Sequence, residues 1–195
     1  MAMDCGPGVT LCGVLAVMTG LGSGVQNVTG GAVYGHPYPM VHGLWPEVAP
    51  YGNSQCVQPQ DPLSEPSKVV GCYQCYTGDP NCTTDHQVLF QEHEWHKHGS
   101  CAGAKDADTF LQTVCDIALA PLKLLYQARQ SGVRDLGGFE RVLKRNGPQY
   151  EVFASNETTS QLMLSACADE GGHWVLTPRR YFSTFCGKAS TREPR

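Results

Sequence analysis

No lysine or arginine occurs before Lys68, so the chain up to that point has no side-chain cation other than histidine. A protein that coats nucleic acid through bulk electrostatics needs a basic surface, and a net charge of −4 over 195 residues excludes that class. It leaves room for an enzyme that holds a phosphate locally, with cations drawn from the later sequence or from histidine. Long apolar runs are missing as well. Val9 to Val17 is apolar but far short of the roughly 20 residues that span a bilayer, so it reads as a buried strand. Met1 to Pro7 lacks the basic residues of a secretory leader and reads as part of the mature domain or, at its extreme start, as an added remnant. Internal repeats and low-complexity tails are absent. With 41% hydrophobic and only 16% charged residues, the composition excludes disorder and predicts one domain, 1–195, with a proper core.

What the chain does have is cysteine. Ten of them, an even number, read as a disulfide framework in an oxidising compartment. Three N-glycosylation tripeptides agree: Asn27-Val28-Thr29, Asn81-Cys82-Thr83 and Asn156-Glu157-Thr158. Secretion, or a lumenal compartment of the vacuolar or lysosomal type, is the expectation. The run "GCYQCYTGDPNC" holds Cys72, Cys75 and Cys82, and its Cys-x-x-Cys would suit zinc if a second pair followed at ligand spacing. None does, so disulfides are preferred to a metal.

The order of elements predicts an α+β fold. Gly20 to Pro39, Asn53 to Pro66 and Gly71 to Thr84 are rich in loop-forming residues. Asp106 or Asp108 can cap a helix that carries Phe110, Leu111, Val114, Ile117 and Ala118 at helical spacing. Pro121 then kinks it or begins a second helix through about Gln130, with Gly132 as the stop. Another helix spans Leu136 to Arg145. Strand patterns follow at Tyr150 to Phe153, Gln161 to Ala168, His173 to Leu176 and Tyr181 to Phe185. Helices grouped mid-chain, with strands at both ends, exclude alternating βαβ units.

Chemistry concentrates in "QEHEWHKHGSC", Gln91 to Cys101, where three histidines, a lysine and two glutamates share eleven positions. A metal site, an acid–base site and a solvated charged turn all compete for such a stretch. At about 100° per residue, His93, Glu94, Lys97 and His98 fall within an arc of roughly 140°, while Trp95 and His96 point away. A zinc protease helix needs His-Glu-x-x-His, but the fourth residue after His93 is Lys97. An ammonium there opposes a bound metal and favours an anion. A second segment, "MVHGLWPEVAPYG", places His42 before a glycine and follows it with Trp45 and Glu47, an indole and a carboxylate suited to a nucleobase. For Trp45 a buried structural role competes with that reading.

"HGLWP", followed 51 residues on by "HEWHKHGSC", resembles the two active-site segments of the ribonuclease T2 family of secreted RNases. The resemblance runs from about Tyr38 to Cys186; residues 1–37 match poorly and lack the Trp-Pro strand ending usual near that family's start. It implies a central antiparallel sheet packed against helices and stabilised by disulfides, Cys56 with Cys101 and Cys167 with Cys186. Pairings among Cys5, Cys12, Cys72, Cys75, Cys82 and Cys115 stay open. By resemblance His98 is the general base and His42 the acid, His93 binds phosphate, and Lys97 and Glu94 stabilise the transition state. The implied reaction is cleavage of single-stranded RNA to 2′,3′-cyclic phosphate ends and then to 3′-phosphates, without metal or other cofactor. Trp45, Glu47 and Tyr51 match the base pocket, and Phe90 a position that can contact the base across the cleaved bond, with a core phenylalanine as the competing reading. A monomer without stable DNA binding or a membrane span is expected. His36, His86, His96 and His173 read as structural or solvent-facing. The rival from another class is a secreted recognition or effector protein that keeps this fold and acts by binding; the complete set His42, His93, Glu94, Lys97 and His98 speaks for catalysis.

Overall fold

The structure is a computed structural model that describes residues 3–21, 37–47, 56–73 and 84–188. Within them five antiparallel strands form one sheet: β1 (Leu11–Met18), β2 (Met40–Pro46), β3 (Val152–Asn156), β4 (Gln161–Ala168) and β5 (Trp174–Leu176). The order is β2-β1-β4-β3, and β5 pairs β4 beyond the end of β3. The helices are α1 (Thr84–Lys97), α2 (Ala107–Gln130), α3 (Leu136–Asn146) and the single turn α4 (Phe182–Phe185). This is the α+β fold expected, with four disulfides among the described residues.

All eight residues of β1 are buried, which explains why this strand reads as an unbroken apolar run. Leu11, Leu15 and Val17 join Leu162, Leu164, Ala166 and the helix residues Phe110, Leu111, Val114 and Leu125 in the larger core. Cys12 and Val14 join Met3, Cys5, Val9, Cys167 and Phe182 in a smaller one. The chain ends before β1 and after β5 thus cover the sheet face that the long helices leave open. The N-terminal segment that matches the family poorly supplies the central strand, pinned at its start by Cys5–Cys12.

Asp106 is the cap of α2, its side chain accepting a hydrogen bond from the Thr109 amide at 2.8 Å. Pro121 does not divide this helix, which runs unbroken to Gln130. Its missing N–H forfeits one intrahelical bond, but Pro121 is itself buried and Ala118 and Leu125 on either side stay in the core. Gly132, at φ 91°, makes the expected stop. The last helix and strands fall close to expectation, β4 residue for residue, with β3 displaced toward Asn156.

Tyr181 to Phe185 is a correction: it is helical, not strand, a short 3-10 turn at Arg179–Tyr181 leading into α4. Its aromatics imitate a strand pattern, but only Phe182 is buried while Phe185 is 61% exposed, and the Cys186 amide closes a turn onto the Phe182 carbonyl. A 3-10 turn also occupies Gly71–Tyr73 within the expected loop.

Cys56–Cys101 and Cys167–Cys186 form as the resemblance implied, and Cys5–Cys12 and Cys72–Cys115 settle four of the six open cysteines. Cys75 and Cys82 lie outside the described residues, as do Tyr51, His36 and the tripeptides at Asn27 and Asn81.

Candidate active site

The β1–β2 ladder pairs Val17 with Val41 and Ala16 with Gly43, leaving His42 as the extra residue of a β-bulge. A bulge breaks pairing and re-aims the side chain it carries. Here it turns the His42 imidazole toward α1, where Nε2 lies 3.5 Å from Glu94 Oε1. On the ring's other side Nδ1 lies 3.1 Å from Nε2 of Gln161, at the start of β4. Tyr73, fully buried, donates its hydroxyl hydrogen to the His42 carbonyl at 3.3 Å. The residue is therefore held by three elements besides its own.

Helix α1 brings Glu94 into the interior. Gln91, one turn earlier and equally buried, accepts a hydrogen bond from the Val70 amide and donates to the Lys68 carbonyl, each at 2.7 Å. This clamp and Trp95, packed 5.9 Å from Phe110, fix the rotation of the helix and press Glu94 against β2. Gly43 leaves the space: a Cβ there would lie 1.8 Å from Glu94 Oε2. Gly99 does the same at the other end, where a Cβ would lie 2.4 Å from Trp95 and 2.6 Å from Phe110. Both glycines of the two sequence segments are thus explained by packing.

Trp45 links the remaining groups. Its indole N–H donates to Glu94 Oε2 at 3.2 Å. Its ring stacks on His98 with centroids 5.4 Å apart and meets the edge of His42 at 5.0 Å. His98 lies just past the end of α1, its amide still bonded to the Glu94 carbonyl. Phe90 approaches His42 at 5.7 Å and His93 at 6.4 Å. His93 and Lys97 are exposed. Beyond His98, Cys101 is tied to Cys56, and the Gly103 amide bonds the Val57 carbonyl, so the segment after His98 is braced from the side.

Burial sets the electrostatics. It pushes the Glu94 carboxyl up to about 8, against the indole hydrogen bond and the Lys97 charge. It pushes His42 down to about 4 and His98 to about 3, the Lys97 charge adding to both. Between those values His42 and Glu94 are both neutral, so their 3.5 Å approach is a contact of uncharged groups rather than an ion pair. Among the described residues Glu94 Oε1 has no hydrogen-bond partner. Such an unsatisfied buried acceptor costs about 1–3 kcal/mol, and reaction centres are one place where that cost is met.

Of the residues singled out in the sequence, His42, Trp45, Phe90, Glu94 and His98 meet in one cluster, with His93 beside Phe90. Glu47 follows Trp45 by two residues, but its side chain bonds the Met3 backbone, and burial raises its carboxyl. His96 pairs with Glu65 at 3.0 Å and His173 with Asp169 at 3.1 Å, both at the surface. Sequence reasoning missed Gln161 and Tyr73. Neither carries a signal: one is an amide opening an apolar strand, the other a tyrosine in a loop. Among the described residues no three His, Cys, Asp or Glu side chains gather as metal ligands, and no helix is long and apolar enough to cross a membrane.

A disulfide-bonded α+β domain that gathers histidines about a buried carboxyl group has the make-up of an acid–base enzyme. Residues 33–128, which include both segments, match the Ribonuclease T2 family. The chain belongs to that family and is an endoribonuclease, with RNA as its substrate class. Its family and disulfides are typical of secreted or lumenal proteins. Neither a curated protein nor a solved structure matches the chain.

Proposed function

We propose that this protein is a metal-independent endoribonuclease that cleaves single-stranded RNA by transphosphorylation, with His98 as base and His42 as acid. The observation that carries this reading is that two imidazoles, lowered by burial to different values so that in acid His42 takes up a proton before His98, flank one indole and share the neighbourhood of a raised carboxyl group. His98 removes the 2′-hydroxyl proton and the 2′-oxygen attacks phosphorus. The P–O5′ bond breaks as His42 delivers a proton to the departing 5′-oxygen, leaving a 2′,3′-cyclic phosphate. Water can reopen the ring by the same groups in reverse, giving a 3′-phosphate. His93 and Lys97, exposed at the edge of the cluster, bind the phosphate, and protonated Glu94 donates to a phosphoryl oxygen. DNA is inert because it lacks the nucleophile.

Phe90 has an aromatic face beside His93 for the base across the cleaved bond. Trp45, Glu47 and Tyr51 are assigned to the main base pocket, although Trp45 already spends its N–H on Glu94 and one face on His98. Residues 1–195 form one domain that acts as a monomer in a secretory or acidic lumenal compartment. Asn156, exposed at the end of β3, is available for a glycan there.

The test is cleavage of a short RNA and its 2′-deoxy counterpart at pH 4 to 7 in excess EDTA, with analysis of product ends, for wild type, His42→Ala and His98→Ala. Chelator-resistant cutting of RNA alone, with cyclic phosphate ends and loss in both variants, is expected. An inert wild type would put the binding or effector reading ahead, and loss of cutting in EDTA would sink the metal-independent mechanism.

A further inference from the structure

Gln161 has no part in the proton transfers above, yet its side chain is 2% exposed and its amide lies 3.1 Å from the ring nitrogen of His42 that faces away from Glu94. The two residues are 119 positions apart, on strands separated by β1. Ser160, immediately before it, is buried and is the only described residue other than glycine with a positive φ, 56°. That left-handed conformation costs roughly 1 kcal/mol or more for a side-chain-bearing residue. Thr19, at the end of β1, holds it there. The Thr19 amide and hydroxyl both donate to the Ser160 carbonyl at 3.0 Å, and the two hydroxyls lie 2.9 Å apart, all in the interior. A hydrogen-bonded chain therefore runs from Thr19 through a strained Ser160 to the residue that meets His42.

We propose that Gln161 is a positioning residue for the His42 imidazole: its amide at Nδ1 selects the ring tautomer and keeps Nε2 directed at Glu94 and the reacting phosphodiester. The proposal rests on the acid role given to His42 above. With the amide nitrogen toward Nδ1, as placed, the amide donates and the neutral ring carries its proton on Nε2. When His42 takes up a second proton, Nδ1 becomes a donor and the amide turns to present its oxygen. A primary amide is the side chain that can serve both states without a charge of its own. Among the described residues, the titratable and charged groups that bear on the ring are Glu94, His93 and Lys97 of α1 and His98 beyond its end, with the Tyr73 hydroxyl on the backbone carbonyl. Glu94 faces Nε2, the opposite nitrogen from the one that meets Gln161.

The experiment compares wild type with Gln161→Glu and Gln161→Leu, by the pH profile of kcat/KM on a short RNA and by 15N NMR of the His42 ring. A carboxylate at Nδ1 can only accept, so Gln161→Glu is expected to move the limb at which the acid is lost upward by about one pH unit or more. Gln161→Leu removes the acceptor that the imidazolium needs and moves it downward, with a fall in kcat. In the neutral ring, wild type is expected to show an unprotonated Nδ1 and Gln161→Glu a protonated one. Profiles that coincide with wild type in folded variants, or the same tautomer in wild type and Gln161→Glu, would overturn the proposal even if kcat drops. Should Gln161→Leu fail to fold, the near-isosteric Gln161→Glu and the wild-type spectrum still decide. The tautomer is read without catalysis, so an inactive wild type with the expected spectrum would sink the acid role of His42 while leaving the positioning contact intact.

Discussion

Glu94 stands where a carboxylate is least at home, fully buried, with one oxygen on an indole N–H and the other without a hydrogen-bond partner among the described residues. Because burial holds it protonated up to about 8, replacing it by a neutral amide of the same shape changes little in acid. Glu94→Gln is expected to keep kcat at pH 5 within about tenfold of wild type, whereas Glu94→Ala loses the donor and falls by about a hundredfold or more. Gly43→Ala is harsher than its one methyl suggests, since the new Cβ would overlap Oε2; loss of activity together with a lower denaturation midpoint is expected. The imidazoles set the pH profile: His98 must be neutral and His42 protonated, and both are displaced downward, to about 3 and about 4. The kcat/KM profile should therefore peak in acid and decline through neutrality; a peak above pH 7 would contradict the assignment. Most of the cluster is legible in the sequence because titratable side chains crowd two short segments. Gln161 is illegible there, since only the folded sheet brings it to His42.

Among the elements, the segment after His98 depends on a crosslink. Cys56–Cys101 spans 45 positions of chain, and Val57 and Ala102 beside it form a parallel bridge. The paired Cys56→Ser, Cys101→Ser variant is expected to lose about 3–4 kcal/mol of stability, read from the denaturant midpoint, with the other disulfides intact. Which elements were legible follows from how each is stabilised. β4 and α2 bury regular faces, so their periodicity shows through. α4 buries one aromatic and is held by its turn and a neighbouring disulfide, which a two-residue rhythm misreads. Pro121 shows the converse: packing on both sides keeps α2 whole where a local rule breaks it.

For the whole molecule, the same three groups couple catalysis to folding. His42 and His98 have depressed values, so the stability they give is fully present above the unfolded value near 6.5 and is lost as pH falls. Glu94 has a raised one, so its share is present in acid and lost as pH rises through about 8. Between about 4.5 and 6.5 the unfolded chain binds two protons on the histidines against one on folded Glu94, and stability climbs with pH by about tenfold in the folding constant per unit; above 6.5 only Glu94 remains and stability declines. A stability maximum near pH 6.5, above the activity optimum, is the expected result of denaturation at pH 5, 6.5 and 8. The bulge in β2 has a consequence of its own, one of parity. Side chains three apart on a strand face opposite ways, yet Val41 and Leu44 both enter the larger core while His42 and Trp45 both meet Glu94. The single unpaired residue between Val41 and Gly43 swaps odd for even midway. By that one count, a strand seven residues long anchors the sheet and furnishes the reaction centre from the same short stretch of chain.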